Sequence, residues 1–299
     1  MERNGLDAGS RRRRDVALEV MEHLQPDILF RQEESAYDEE GRLRDEEAHR
    51  LGMESYVSPL SRERNSPTAT LIRPGLFQLE GEQDWHGGVS KPVKILTVRM
   101  RGTTRPLKLT SLHLWWCDPI LRATTARRVT SLADKGEAAV LFGGDMNSYP
   151  HRDPADITPL PNWDEVPDRV HYEHRTIERD GERVSDTLPD EILTGRGVFV
   201  ELGHYAYTEL RRPEALAPTA TLWRTDQGPG RRIDRLYASP DLAPALLSLE
   251  VIDNKMVRFA SDHALVVASF DLDTFRGALT EAPRHTTDGA ERLAPAPAA

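Results

Sequence analysis

The segment "LFGGDMNSYP", residues 141–150, decides how the rest of the chain is read. Leu141 and Phe142 end an apolar run, two glycines follow, and Asp145 and Asn147 stand two positions apart before Pro150 closes the segment. In extended backbone that spacing points both polar side chains to the same side. Gly143 and Gly144 let a neighbouring side chain or a substrate approach bare backbone. Taken alone, the segment is a strand entering a turn, since Gly, Asp and Asn all favour turns.

The flanking sequence adds more strands of this kind. Upstream, "KPVKILTVRM" (91–100) and "RPLKLTSLHL" (105–114) flank "RGTT" and alternate apolar with polar residues, which predicts a β-hairpin whose second arm delivers His113 near its end. Asp118 and Pro119 make a cap and first-turn pair, so a helix runs to about Ala133 with Leu121, Thr125, Val129 and Leu132 inward. "AAVLFGGDMN" (138–147) is the next strand. Nearer the start, "SRRRRDVALEVMEHLQPD" (10–27) is a helix with Ala17, Val20, Met21 and Leu24 on one face and Arg11 to Arg14 as a solvated first turn. "DILFRQEE" (27–34) is a short buried strand ending in Arg31, Gln32 and Glu33, and "TATLIRPG" (68–75) is another strand. Residues 35–64 read as a charged helix with loops. "RRIDRLYAS" (231–239), "LLSLEVID" (246–253) and "HALVVASFDL" (263–272) are three further strands.

Residues 148 to about 190 are rich in Pro, Asp, Glu and Arg and read as a surface insertion, not a second domain. The expected domain is 1–275, followed by a disordered tail over 276–299 of Ala, Pro, Thr and charge. The 38% of apolar residues supports one substantial core, although mean hydropathy is −0.56. Lys and Arg total 39 against 49 Asp and Glu, a net charge of −10, which argues against tight nonspecific nucleic-acid binding by charge alone. The single Cys117 excludes an intrachain disulfide. No apolar run reaches the about 18 residues of a membrane span. The first residues, "MERNGLDAGSRRRRD", lack an apolar signal core, so a cytoplasmic location is expected unless the native N-terminus is longer and carries a signal.

Polar groups collect at the ends of these strands: Glu33, His113, Asp145 with Asn147, Asp234, and Asp262 with His263. Each has a bland reading: a surface acid, a rim histidine, a turn, or an ion-pair partner of Arg231, Arg232 or Arg235. Together they suit one chemistry, in which hard oxygen ligands hold a divalent cation and a carboxylate or imidazole activates water.

The ordered set "QE", "SLHL", "GGDMN", "RRIDRLYAS" and "SDH" resembles the endonuclease/exonuclease/phosphatase superfamily, the deoxyribonuclease I-like metal-dependent phosphoesterases, from about Asn4 to Leu272. That resemblance implies a four-layer α/β/β/α sandwich of two mixed β-sheets with the active site at one end. It implies Glu33 and Asp262 as metal-linked carboxylates for Mg²⁺ or Mn²⁺. It implies His263 as the imidazole at the scissile phosphate, Asp234 as its orienting acid, Asp145 as the carboxylate that holds or deprotonates water, Asn147 as a neutral donor to a phosphate oxygen, and His113 as a second phosphate contact. The base stays open between His263 and Asp145.

One piece of the family pattern is missing. The family opens on a central strand bearing an Asn, whereas "MERNGLDAGS" already resembles the loop after it, so the first central strand is expected to be absent from this sequence. Either the start lies too far downstream or the strand has been lost. Trp115, Trp223 and Arg232 are candidate substrate contacts, with core packing as the alternative for the tryptophans. The expected activity is a nuclease-type phosphodiesterase acting on a phosphate ester, nucleic acid among the candidates, with no obligate protein partner. The alternatives are a phosphatase or phosphodiesterase for a small or lipid-derived ester, and a non-catalytic binding protein on a degenerate fold.

Overall fold

A computed structural model describes residues 2–7, 10–34, 41–60, 66–151, 160–223 and 225–280. In chain order, α1 (Arg12–Leu24), β1 (Ile28–Arg31), α2 (Arg42–Leu51), β2 (Glu54–Val57) and β3 (Ala69–Ile72) come first. Then follow β4 (Phe77–Trp85), β5 (Val93–Met100), β6 (Leu107–His113), α3 (Pro119–Thr130) and β7 (Ala139–Asp145). The 148–190 segment holds α4 (Arg169–Arg175), β8 (Thr176–Arg179), β9 (Glu182–Ser185) and the start of α5 (Leu188–Thr194). The chain continues through β10 (Val200–Glu201), α6 (Leu202–Thr208), β11 (Asp234–Ala238), β12 (Leu246–Ile252), α7 (Lys255–Ala260), β13 (Leu265–Phe270) and α8 (Leu272–Ala278).

Six strands form the main sheet in the order β10-β11-β7-β6-β5-β4. β6 and β7 pair in parallel, joined by the α3 crossover, and the other neighbours are antiparallel. The β5–β6 hairpin and the three C-terminal strands match the sequence reading. β2, β4 and the β8–β9 hairpin were not anticipated; β4 is an edge strand whose exposed face is almost wholly polar or charged.

Three apolar clusters give four layers. One lies between the main sheet and a second sheet layer, joining Leu96, Val98, Leu109 and Leu141 to Ile72, Leu249, Phe30 and Val266. A second packs α3 and α5 residues such as Val129 and Leu193 on the outer face of the main sheet against Val140 and Phe142. The third packs Leu18 and Met21 of α1 and Leu51 of α2 on Leu71 and Leu29. These layers are helix, sheet, sheet and helix, as expected.

The second layer corrects one detail. Its described pairs are all antiparallel, β1-β3-β2 and β12-β13, so among the described residues only the main sheet is mixed. Among the described residues β1 and β13 do not pair. Between them lies a cavity of about 470 Å³, walled by Ile28, Phe30, Val266 and Ala268 and floored by Leu141 and Leu236.

Two helical faces also differ from expectation. On α1 the buried residues are Arg14, Leu18 and Met21, while Leu24 is exposed. The Arg11–Arg14 run is therefore only partly solvated, because Arg14 is buried and donates to Glu47 at 3.2 Å and to Asn4. On α3, Asp118 caps the Ile120 and Leu121 N–H groups as expected, but Leu121 is exposed. Arg122 takes an inward position instead, because its guanidinium finds Asp186 (2.8 Å) and the carbonyls of Trp115 (2.9 Å) and His174 (2.7 Å). Helix α8 carries ordered chain beyond residue 275, and most of the expected tail, residues 281–299, lies outside the described residues.

Candidate active site

Strand register builds the site. His113, the last residue of β6, is the partner of Asp145, the last residue of β7. Asp145 is in turn the partner of Asp234, the first residue of β11. Three functional groups thus stand in one row across the end of the main sheet. The glycines before Asp145 allow this row to form. A Cβ on Gly144 would lie 1.8 Å from the Leu112 carbonyl oxygen, and one on Gly143 would lie 2.2 Å from a Leu236 methyl.

The second layer supplies the opposite wall. Gln32 donates to Ser111 Oγ (2.9 Å), and Ser111 donates to the Arg31 carbonyl (2.8 Å), which ties the end of β1 to β6. Glu33 follows in a left-handed conformation (φ 61°). From the other side, Asn254 caps α7, and Ser261 Oγ accepts the His263 N–H at 3.0 Å, so "SDH" is held at the entry to β13. Glu33, Asp145, Asp234, Asp262 and His263, with Trp116, line one cavity of about 480 Å³.

The two histidines sit in opposite surroundings. His263 Nδ1 donates to Asp234 Oδ2 at 2.8 Å, and Thr219 Oγ donates to the same oxygen at 2.8 Å. Burial works against a charged His263 ring, but the charge and hydrogen bond of Asp234, with Asp145 and Asp262 adding, raise its pKa to about 9. His113 accepts at Nδ1 from Lys91 Nζ at 3.0 Å. Burial, then the Lys91 charge, then His263 hold the His113 pKa well below its ordinary value, so this ring is neutral. Burial also brings Lys91 down to about 8, against the pull of Asp145 and Glu33.

Asp145 is buried, and its Oδ1 accepts the Asn147 N–H at 2.7 Å. Its pKa is raised, first by burial and then by the charge of Asp234. His113 Nε2 stands 3.6 Å from Asp145 Oδ2, beyond hydrogen-bond reach. One ligand atom each from Asp145, Asp234 and His263 lies within 4.8 Å of the others. Four carboxylates line one cavity, Asp145 among them pushed toward protonation by burial and then by Asp234, and they form a hard-oxygen donor set whose repulsion a divalent cation would relieve. These residues suit a hard divalent cation.

The sequence-predicted residues divide clearly. Glu33, Asp145, Asp234, Asp262 and His263 meet at the cavity, and His113 and Asn147 adjoin Asp145. Arg232 does not join them: it is 2% exposed and its guanidinium is ion-paired with Glu201 at 2.6 Å. Trp223 is outside the cavity lining, with the Arg13 guanidinium 5.6 Å from its ring centre. Trp115 turns its N–H to Cys117 Sγ (3.1 Å), and the neighbouring Trp116 reaches the cavity instead. Lys91, Thr219 and Arg175 act on the site without having been anticipated. The first two carry no motif, and Arg175 lies in the insertion.

The profile of the Endonuclease/Exonuclease/phosphatase family matches residues 4–263. No curated protein matches the chain significantly. Among solved structures, the chain is similar to an AP endonuclease from Archaeoglobus fulgidus at 19% identity, covering 88% of this chain and 96% of that one with a TM-score of 0.58. It is similar to a mannosyl-6-phosphatase from Bacteroides thetaiotaomicron at 13% identity, covering 87% and 91% with a TM-score of 0.58. It is also similar to the human Nocturnin catalytic domain at 17% identity, covering 87% and 86% with a TM-score of 0.53. Such identities speak to the fold. Among the described residues, no helix is long and apolar enough to cross a membrane.

Proposed function

The chain belongs to the endonuclease/exonuclease/phosphatase family, whose members are hydrolytic phosphoesterases, and from that premise we propose that it is a divalent-metal-dependent phosphodiesterase of nuclease type. The observation that carries the reading is the row His113–Asp145–Asp234, closed by His263 on Asp234, with Glu33 and Asp262 lining the same cavity as Asp145, Asp234 and His263.

Glu33 and Asp262 would hold the cation, which supplies positive charge against the phosphate. The protein's own groups divide the remaining work. Asp145 takes the proton of the attacking water, since burial and Asp234 make it a stronger base than an ordinary carboxylate. His263 is protonated at neutral pH and donates to a phosphate oxygen, with Asp234 and Thr219 fixing its ring. This favours Asp145 over His263 as the base. His113, neutral and accepting from Lys91 at Nδ1, keeps its hydrogen on Nε2 for a second phosphate oxygen. Asn147 donates its side-chain amide to the same phosphate.

A phosphatase acting on a small ester is the second reading, favoured by the net charge of −10. The test is turnover of bis-p-nitrophenyl phosphate against p-nitrophenyl phosphate, with Mg²⁺ or Mn²⁺ and with EDTA, beside Asp145→Ala and His263→Ala. The proposal expects metal-dependent hydrolysis of the diester, lost in EDTA and in both variants. Preference for the monoester selects the second reading. Full activity in either variant, or in EDTA, rejects the assigned site.

A further inference from the structure

Arg175 ends α4, inside the segment that reads as a surface insertion, yet it is only 8% exposed. Its guanidinium reaches the turn after β7. Nη2 donates to Asn147 Oδ1 (2.5 Å), and Nη1 donates to the Asn147 carbonyl (2.8 Å) and the Trp116 carbonyl (2.7 Å). Among the described residues no carboxylate hydrogen-bonds to Arg175, although Arg122 and Arg231 are close enough to repel it. Burying this cation is costly, and the nearby charge of Asp145 offsets burial and the two arginines only in part. Burial and those two arginines bring its pKa down to about 10, which still leaves it charged at neutral pH.

What it holds is a residue in an unusual state. Asn147 has φ 49°, in the left-handed region. A carboxamide offers two nearly identical ends, an acceptor and a donor. Arginine has no acceptor, so only Oδ1 can face it. The amide NH₂ is thereby placed on the other side, where one hydrogen goes to the Leu114 carbonyl at 2.9 Å. Among the described residues the second hydrogen has no acceptor.

We propose that Arg175 is a positioning residue: it fixes the Asn147 carboxamide in the one orientation that presents an N–H to a phosphate oxygen, and it pins the turn that carries it. This rests on the reading of Asn147 as a phosphate donor. It gives the insertion a task, since α4 brings this cation to the turn that follows β7.

The test is a double-mutant cycle of Arg175→Met and Asn147→Ala on the full chain, measuring kcat and KM for bis-p-nitrophenyl phosphate with Mn²⁺, with folding checked by circular dichroism. Asn147→Ala is expected to lower kcat by roughly 10²- to 10³-fold, as loss of a charge-stabilising donor does. Arg175→Met is expected to lower kcat by about 10- to 100-fold with KM changed less than about threefold, the pattern of an interaction realised in the transition state. In the Asn147→Ala background it should cost several-fold less than in the parent, because the carboxamide it orients is gone while its backbone contacts remain. Arg175→Lys, which keeps one donor, should recover part of the loss, and it carries the same cycle if the Met variant does not fold. Equal losses from the Arg175 change in both backgrounds would overturn the inference, since a general structural defect adds independently. So would an unchanged kcat in Arg175→Met. An unchanged kcat in Asn147→Ala would instead reject the donor reading, and the inference with it.

Discussion

Replacing Gly144 by alanine tests the geometry on which the site depends. The new Cβ would sit 1.8 Å from the Leu112 carbonyl oxygen and 2.8 Å from its carbon, both backbone atoms of the paired strand. An ordinary carbon–oxygen contact needs about 3.3 Å or more, so β6 and β7 would have to part by about 1.5 Å where they deliver His113 and Asp145. Gly144 also has φ +147°, which L side chains rarely adopt; holding alanine there adds about 1–3 kcal/mol. Overpacking in a well-filled core typically adds about 1–3 kcal/mol, and more when backbone must move. The expected loss is about 4 kcal/mol or more, an exceptional value for one methyl group and a large share of the about 5–15 kcal/mol that holds a domain together. Gly143 is the control. A Cβ there meets the Leu236 methyl at 2.2 Å, a side chain that can turn, and the Arg235 carbonyl at 3.1 Å. Only overpacking applies, so about 1–3 kcal/mol is expected. Urea unfolding of the three proteins measures both differences. A Gly144→Ala protein within about 1 kcal/mol of the parent, or less affected than Gly143→Ala, would refute the reasoning.

Three further outcomes follow from named contacts. Asp234→Asn should bring the His263 pKa down from about 9 toward or below 6.5, followed by NMR of the ring in EDTA; a value that stays near 9 would assign the shift to other groups. Because the folded pKa is raised, the stability that this pairing contributes is complete below pH 6.5 and is lost as pH rises through about 9. The gap in unfolding free energy between parent and variant, at most about 3 kcal/mol, should therefore narrow over that window, and a constant gap would contradict it. Arg122→Ala removes a fully buried cation from Asp186 and three carbonyls, so a loss of about 3–5 kcal/mol is expected in urea unfolding; a loss below about 1 kcal/mol would show that the pair is dispensable. If the substrate is nucleic acid, KM should climb steeply between low and physiological salt, whereas an unchanged KM would point to a small ester.

The sequence was legible where local rules govern. The alternation of residues 91–114, the Asp118–Pro119 cap and the apolar run into "GGDMN" each carry their own signal, and the corresponding elements formed. Arg232 misled because an arginine beside a functional aspartate looks the same whether it faces substrate or Glu201; only the fold of β10 and α6 decides. Trp115 and Trp116 differ by one position, and the path of the chain after β6 sends the second to the cavity. Arg14 was hidden in a charge run, and its burial depends on Glu47 from α2 and Asn4, which no local pattern connects to it. Lys91, Thr219 and Arg175 share the same cause. Each acts on a motif residue from a distant segment, and none belongs to a motif.

That pattern explains how two similar histidines come to do different things. Neither "SLHL" nor "SDH" says which ring carries charge. The assignment comes from what stands behind each ring: an acid held by Thr219 behind His263, and a buried lysine behind His113. Burial disfavours charge on both rings; Asp234 overrides it at His263, and Lys91 reinforces it at His113. With His263 already protonated and His113 short of basicity, neither ring is ready to accept a proton from water near neutral pH. Asp145 stands between them in the row, with its basicity raised by burial and by Asp234. Under the proposed function, Asp145 is therefore the best-matched acceptor for the proton of an attacking water, on the strand end where two glycines bring the backbones together.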